Sequence, residues 1–252
     1  MKTITFIGNG NMALSIAKGL VGKYNIEVIA RDRKKMDAFE ATLQTNIQKE
    51  LLKDVDLTGK RVILCVKPAN VAEVASKLKG EADLLYSVLA GTSLQKLAEH
   101  FKAKAFVRAM PNLAASVGAS MTTLTGDIAH KEDAEKLFRA IGSTRWLSSE
   151  KEIDIATALA GSGPAYLALI AEALTDGAVK QGLKRDDAMA IMRGLFNGFA
   201  TLIETQHPAL LKDGVMSPGG TTAAGYGALE DGNVRSACIA AIEKAYKKAT
   251  EL

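Results

Sequence analysis

The chain has 252 residues, 48% of them hydrophobic and 24% charged, with a formal net charge of +4. That is an ordinary globular composition with room for one large domain or two modest ones. Aromatics make up only 5% and no basic run is interleaved with them, which excludes the usual footprint of nucleic-acid binding. Two cysteines, Cys65 and Cys238, both in apolar stretches, give no disulfide framework and are expected as reduced, buried thiols. His100, His130 and His207 are scattered, so no metal site is expected. Met1-Lys2 leads straight into a strand with no apolar signal core, from which a cytoplasmic protein is expected.

In chain order, Thr3–Ile7 is a β-branched and aromatic run that predicts a buried strand. Residues 11–21 have helical spacing, with Met12, Ile16 and Leu20 on one face. A strand over 26–30 and a helix over 34–42 follow. Further strands are predicted at 61–66, 84–89 and 105–108, with helices at 69–78 and 94–101 between them. Strands alternating with helices of this length mean βαβ units and a mostly parallel sheet. Strands at 119–124 and 143–147, around a helix at 134–141, extend the same pattern. After residue 149 the character changes, and 153–159, 165–181, 185–206, 221–230 and 234–250 all read as helix. The chain therefore divides into an α/β domain, 1–149, and an all-helical domain, 150–252. The helical part is rich in alanine and glycine and small for a core of its own, so an extensive dimer interface is expected. Its apolar run 156–173 is broken by Gly161, Gly163, Pro164 and Glu172, so a membrane span is not expected.

The turn Gly8-Asn9-Gly10-Asn11-Met12-Ala13 joins the first strand to the first helix. In such a turn Gly8 permits the tight bend, Gly10 lets phosphates approach the backbone, and Ala13 permits close helix–strand packing. The second strand ends at Ala30 and runs into Arg31-Asp32-Arg33. Arg31 and Arg33 suit the 2′-phosphate of NADPH, while Asp32 keeps a ribose contact, and thus NADH, open. Lys34 and Lys35 read as a solvated helix start. Val66-Lys67-Pro68 closes a later strand, either presenting Lys67 and the backbone to a cofactor or forming a plain strand-end turn.

In the helical half, Val-Met-Ser-Pro-Gly-Gly-Thr-Thr at 215–222 carries the most chemistry. Pro218 stiffens the entry, Gly219 and Gly220 bare their N–H groups, and Thr221 and Thr222 open a helix whose N-terminus favours an anion. This reads as a carboxylate pocket with a hydroxyl beside it. Ser162 lies between Gly161 and Gly163, but no GxSxG elbow is present; it reads as a helix cap near the substrate pocket, with direct substrate contact as the other reading. Glu172 and Asp176, one turn apart, read as polar contacts between helices, and Asp186 as a first-turn acid.

Taken together, the Gly8 turn, Arg108-Ala109-Met110-Pro111-Asn112, Ala160-Gly161-Ser162-Gly163-Pro164-Ala165-Tyr166 and 215–222 resemble the pyrroline-5-carboxylate reductases over essentially the whole chain. The resemblance implies an N-terminal Rossmann domain and a helical domain interlocked across an obligate homodimer, such dimers commonly assembling five to a ring as a decamer. It implies hydride transfer from NAD(P)H to the C=N carbon of 1-pyrroline-5-carboxylate, giving L-proline; Arg31 and Arg33 make NADPH expected over NADH. By the same resemblance Met110, Pro111 and Asn112 line the nicotinamide end. Gly219, Gly220 and Thr221 take the substrate carboxylate, and Thr222 hydrogen-bonds to the ring nitrogen. The chain departs from the family pattern at Ala114, where a second proline is usual, and at Ala30, where an asparagine is often found. No clear asparagine precedes strand 61–66, Asn46 lying too early. Hydroxyacid dehydrogenases use a lysine in the helical domain, a role that Lys180 and Lys184 fill poorly. A non-enzymatic nucleotide-binding regulator would be expected to lose the Gly219–Gly220–Thr221–Thr222 pocket.

Overall fold

The β-branched run at the N-terminus forms β1 (Thr3–Ile7), which stands inside an eight-stranded sheet flanked by helices. The computed structural model describes residues 1–251 and falls into two compact units, Met1–Pro164 with the residues from Lys244 onward, and Ala165–Glu243. In the first unit α1 (Asn11–Leu20), β2 (Asn25–Ala30), α2 (Arg33–Leu43), β3 (Gln48–Leu51), β4 (Val55–Asp56) and β5 (Arg61–Leu64) succeed β1. There follow α3 (Val71–Ala75), β6 (Leu78–Lys79), β7 (Leu84–Ser87), α4 (Leu94–His100) and β8 (Phe106–Met110). β9 (Ser120–Gly126), α5 (Lys131–Phe138), β10 (Gly142–Trp146) and α6 (Glu150–Ala156) complete it.

The sheet runs β10-β9-β8-β7-β5-β1-β2-β3, and every pair in it is parallel except β8 with β9. That exception has a local cause: β8 and β9 are joined by a short 3-10 turn, Leu113–Val117, instead of a crossover helix, and a short link serves only antiparallel neighbours. Alternation along each strand splits the core into two layers. Ile4, Phe6, Val28, Ile63 and Tyr86 pack with Ile16, Leu20, Met36 and Phe138 on one face of the sheet. Ile7, Ile29, Val62, Leu64 and Leu85 pack with Val71, Val74, Leu97 and Phe101 on the other.

Some elements differ from the sequence reading. β3, Gln-Lys-Glu-Leu, is a polar edge strand without apolar alternation, and Lys49 of β3 pairs with Asp37 and Glu40 of α2. The helix expected over 69–78 is shorter: Pro68–Asn70 is a 3-10 turn, α3 stops at Ala75, and Leu78 and Lys79 leave to pair with β4. α2 begins at Arg33 because the Asp32 side chain accepts from Lys35 N at 3.3 Å and caps it.

Beyond α6 come α7 (Gly163–Lys180), α8 (Arg185–Leu202), α9 (Pro208–Val215), α10 (Thr221–Asp231) and α11 (Val234–Thr250). α9 was not legible as a separate helix; Pro208 opens it at its first turn and His207 Nδ1 accepts from Ala209 N. Gly161 and Pro164 do not break the helical run as expected. Thr157–Gly161 is a π turn, and Pro164 falls in the first turn of α7, where a missing N–H costs no bond. By length and composition the run Glu150–Lys180 is long and apolar enough to cross a membrane, and 11% of its most apolar window is buried.

Within Ala165–Glu243 only Thr175 and Ala188 are buried, while Leu167, Leu169, Ile191, Leu195 and Phe199 are exposed. Cys238, expected buried, is exposed on α11, next to the equally exposed Ile239. Asp186 stands in the first turn of α8, and Asp176 of α7 pairs with Arg185 at the same helix end.

Candidate active site

The strand order reverses direction about β1, with β2 and β3 to one side and β5, β7 and β8 to the other. The crevice at the carboxyl ends of β1 and β5 is where open α/β sheets bind their ligands. Gly8, Val66, Lys67 and Pro68 lie there. Gly8 has φ +104°, and a Cβ on it would stand 2.6 Å from the Cys65 carbonyl oxygen, so both its backbone angle and its neighbour require glycine. Its N–H donates to Ile29 O at 2.9 Å, locking the turn onto β2. Gly10 is the N-terminal cap residue of α1; no side chain caps that helix, and nothing lies within 4 Å of where a Gly10 Cβ would be. Ala13 is fully buried and Met12 packs on the core, while Asn11 begins the helix. Asn9 Nδ2 is buried without a hydrogen-bond partner. An uncapped helix N-terminus, an open approach at Gly10 and an orphaned buried donor fit a dinucleotide pyrophosphate.

At the neighbouring strand ends, Arg31 is 58% exposed and reaches Glu73 of α3 at 3.5 Å. Arg33 is more committed, with Nη1 donating to Lys49 O at 3.1 Å and Nε 3.8 Å from Asp37. Asp32, the residue that kept NADH open, spends a carboxylate oxygen on capping α2. Lys34 and Lys35 are solvated. Lys67 has extended backbone before the Pro68–Asn70 turn, which closes the strand end.

Met110 ends β8 at the same edge of the sheet, and Pro111 and Asn112 follow it. Asn112 uses its side chain within the protein: Oδ1 accepts from Ala114 N at 3.1 Å and Nδ2 donates to Ala160 O at 3.0 Å. Its N–H donates to Ser120 Oγ at 3.1 Å. The loop is thereby tied to the π turn that precedes Ser162. Ser162 itself has α-region angles and ends the π turn, its N–H donating to Thr157 O at 3.0 Å, so it caps that turn by its backbone and not the start of α7 by its hydroxyl.

Arg108 opens the 108–112 motif but carried no role in the sequence reading. Arg108 is 2% exposed in β8, and its guanidinium donates to Glu150 Oε1 at 2.9 Å and Asp154 Oδ1 at 2.8 Å on α6. Glu150 also accepts from Leu94 N at the start of α4. An arginine closing the apolar strand expected at 105–108, with Glu150 and Asp154 at the start of the helical half, was the available signal. The opposite, N-terminal edge of the sheet holds a cavity of about 720 Å³ lined by Lys2, Thr5, Glu27, Lys60, Arg61 and Asp133. Its charges pair internally, Lys60 with Glu27 and Arg61 with Asp133, and burial pushes the adjoining Tyr86 phenol up to about 12.

In the second unit, residues 216–220 link α9 to α10. Gly219 has φ +70°, a left-handed turn that glycine adopts without strain, and Gly220 is the N-terminal cap residue of α10. The turn closes on itself through Gly220 N to Ser217 O at 3.0 Å. No side chain caps α10, and Thr221 and Thr222 are exposed in its first turn. Free first-turn N–H groups beside two hydroxyls can hold a carboxylate and offer a neutral donor or acceptor next to it. Among the described residues no group of three or more His, Cys, Asp or Glu is placed to hold a metal ion.

Residues 150–252 match the family described as pyrroline-5-carboxylate reductase dimerisation, and residues 3–91 match that described as NADP oxidoreductase, coenzyme F420-dependent. The chain is 39% identical over 264 residues to the pyrroline-5-carboxylate reductase of Pisum sativum, covering 99% of this chain and 96% of the relative. It is similar to the solved 1-pyrroline-5-carboxylate reductase of Streptococcus pyogenes, with a TM-score of 0.87, 32% identity, and 99% and 98% of the two chains covered. The Plasmodium falciparum pyrroline carboxylate reductase with NADP bound gives a TM-score of 0.82 and 25% identity, covering 99% and 97%.

Proposed function

The chain belongs to the pyrroline-5-carboxylate reductase family, and from that premise we propose that it reduces 1-pyrroline-5-carboxylate to L-proline as an NAD(P)H-dependent imine reductase. The observation that carries the reading is the pairing of two sites in one chain. One is a glycine turn with an orphaned donor at the switch point of a parallel sheet; the other is an uncapped helix N-terminus entered through Pro218-Gly219-Gly220.

Bound at the Gly8 edge, a nicotinamide coenzyme supplies the hydride. Gly8, Asn9, Gly10, Asn11 and Met12 hold its pyrophosphate by backbone N–H groups and the α1 field, with Asn9 Nδ2 as a further donor. Arg31 takes the 2′-phosphate, which makes NADPH the preferred coenzyme; its exposure and its loose contact with Glu73 leave it free to do so, whereas Arg33 is a lesser contributor. Val66, Lys67, Pro68, Met110, Pro111 and Asn112 line the rest of the coenzyme groove, Asn112 by its backbone, since its side chain is engaged elsewhere. Gly219, Gly220 and Thr221 hold the substrate carboxylate at the α10 N-terminus, and Ser162 is a further substrate-binding residue. The imine carbon accepts hydride readily once its nitrogen is protonated. A neutral hydroxyl suits that nitrogen better than a lysine, so Thr222 orients the ring and hands on the proton.

The chain forms a homodimer through its C-terminal region. The bare apolar helices of that region support a second copy, and not lipid, as their cover. Assembly of five dimers into a decamer is a further proposal resting on the family resemblance. The unpaired Cys65 and Cys238 support a reducing, cytoplasmic setting. The test is coenzyme oxidation by the purified protein with 1-pyrroline-5-carboxylate, run with NADPH and with NADH while L-proline is quantified. Proline formed in step with coenzyme loss, faster with NADPH at low concentration, is expected; coenzyme binding without turnover would remove the substrate assignment.

A further inference from the structure

The helices that flank the turn at 216–220 carry a polar cluster to which the reaction gives no part. Tyr226 lies on α10, one turn beyond Thr222. Its hydroxyl donates to Glu230 Oε1 at 2.5 Å and accepts from Arg235 Nη2 at 2.5 Å. Arg235, on α11, also pairs directly with Glu230. On the ring itself, Lys212 Nζ of α9 stands 5.5 Å from the centroid, within cation–π range, while bonding to Asp213 at 2.8 Å. One phenol thus joins α9, α10 and α11, and α9 and α10 are the two helices that flank the turn. Neither of them has a buried residue, so no apolar core within the chain fixes the angle between them. The turn's own bonds, Met216 N to Asp213 O and Gly220 N to Ser217 O, are local and set no such angle. Hydrogen bonds to Arg235 and Tyr226 hold the Glu230 carboxyl down at about 2, keeping the cluster charged at neutral pH.

We propose that Tyr226, with Lys212, Glu230 and Arg235, is a positioning cluster that fixes the α10 N-terminus against the 216–220 turn and so sets the affinity for the substrate carboxylate. The inference rests on reading that turn as the carboxylate site. None of the four residues touches substrate; they act through Gly219, Gly220 and Thr221. A loosened angle splays the N–H groups that must converge on one carboxylate, which costs binding before it costs chemistry.

The experiment compares the full chain with Tyr226→Phe, which keeps the ring under Lys212 and removes the hydroxyl, and with Arg235→Met and Arg235→Lys. The readouts are KM for 1-pyrroline-5-carboxylate, KM for NADPH, kcat and the melting temperature. Expected are a rise of roughly tenfold in substrate KM for Tyr226→Phe and Arg235→Met, as for loss of a charge-assisted hydrogen bond. The KM for NADPH should stay unchanged, and Arg235→Lys should recover part of the loss. An unchanged substrate KM in Tyr226→Phe, or equal rises in both KM values, overturns the inference. If Arg235→Met fails to fold, Tyr226→Phe decides alone. Wild-type protein without turnover overturns the substrate reading and this inference with it; wild-type turnover with unchanged variant KM overturns the inference only.

Discussion

Of the candidate site's glycines, Gly8 alone combines a positive φ with a close backbone neighbour. Gly8→Ala places a methyl 2.6 Å from the Cys65 carbonyl at a backbone angle that alanine strains to adopt. The expected outcome is a loss of about 1–3 kcal/mol in stability together with weakened coenzyme binding, read by denaturant unfolding and NADPH fluorescence titration. Arg31→Ala should raise KM for NADPH about tenfold, as for loss of a charge-assisted contact, while leaving KM for NADH near its starting value. Equal effects would remove the 2′-phosphate from Arg31. Thr222→Ala should lower kcat by at least about tenfold, roughly 1.4 kcal/mol of transition-state stabilisation, with coenzyme affinity retained. At this scale the sequence was informative wherever chemistry resides in the backbone. Gly8 and Gly10 can be read because glycine is the residue that such turns admit. Side-chain commitments to partners distant in sequence were opaque: Asn112 spends its amide on Ala160, and Arg108 its guanidinium on Glu150 and Asp154.

Between elements, the contact that matters most is Arg108 of β8 with Glu150 and Asp154 of α6. It fixes the strand that ends in Met110, Pro111 and Asn112 against the helix that leads into the π turn, and the Asn112–Ala160 bond closes the same connection. Arg108→Met leaves two carboxylates without their buried partner. A loss of about 3–5 kcal/mol is expected from chemical unfolding, with the Glu150→Gln, Asp154→Asn background recovering part of it. A pH effect belongs to the α10–α11 corner. Glu230 is held at about 2, below the ordinary glutamate value of 4.5, by Arg235 first and Tyr226 second. A lowered carboxyl stabilises the fold in full above 4.5 and gives that stability up as pH falls toward 2. The melting temperature of the wild type should therefore fall more steeply than that of Arg235→Met across that window. Element reading succeeded for the apolar strands β1, β2, β5, β7 and β8, whose two faces are both covered. It missed β3, a polar edge, and α9, whose start is marked only by His207-Pro208. It expected breaks at Gly161 and Pro164 that a π turn absorbs.

Across the whole molecule, the two units differ in how they hold together. The first has a sheet with both faces covered by apolar clusters. The second has helices with Leu167, Leu195 and Phe199 bare and almost nothing buried, a surface that a single chain in water does not sustain. The alanine and glycine density made an interface legible in the sequence, but not its extent, since helical periodicity does not say which faces meet a second copy. Leu195→Glu with Phe199→Glu should abolish the dimer in analytical ultracentrifugation and lower the melting temperature. In the wild type the melting temperature should rise with protein concentration.

Every role assigned above converges on hydride delivery to the imine carbon of 1-pyrroline-5-carboxylate. The most direct measurement is turnover with NADPH deuterated at the transferable nicotinamide position, followed by mass spectrometry and NMR of the product. L-Proline carrying one deuterium at C5, formed in step with coenzyme oxidation, is expected. Coenzyme oxidation without label in proline, or no proline from a folded dimer that binds NADPH, would contradict it.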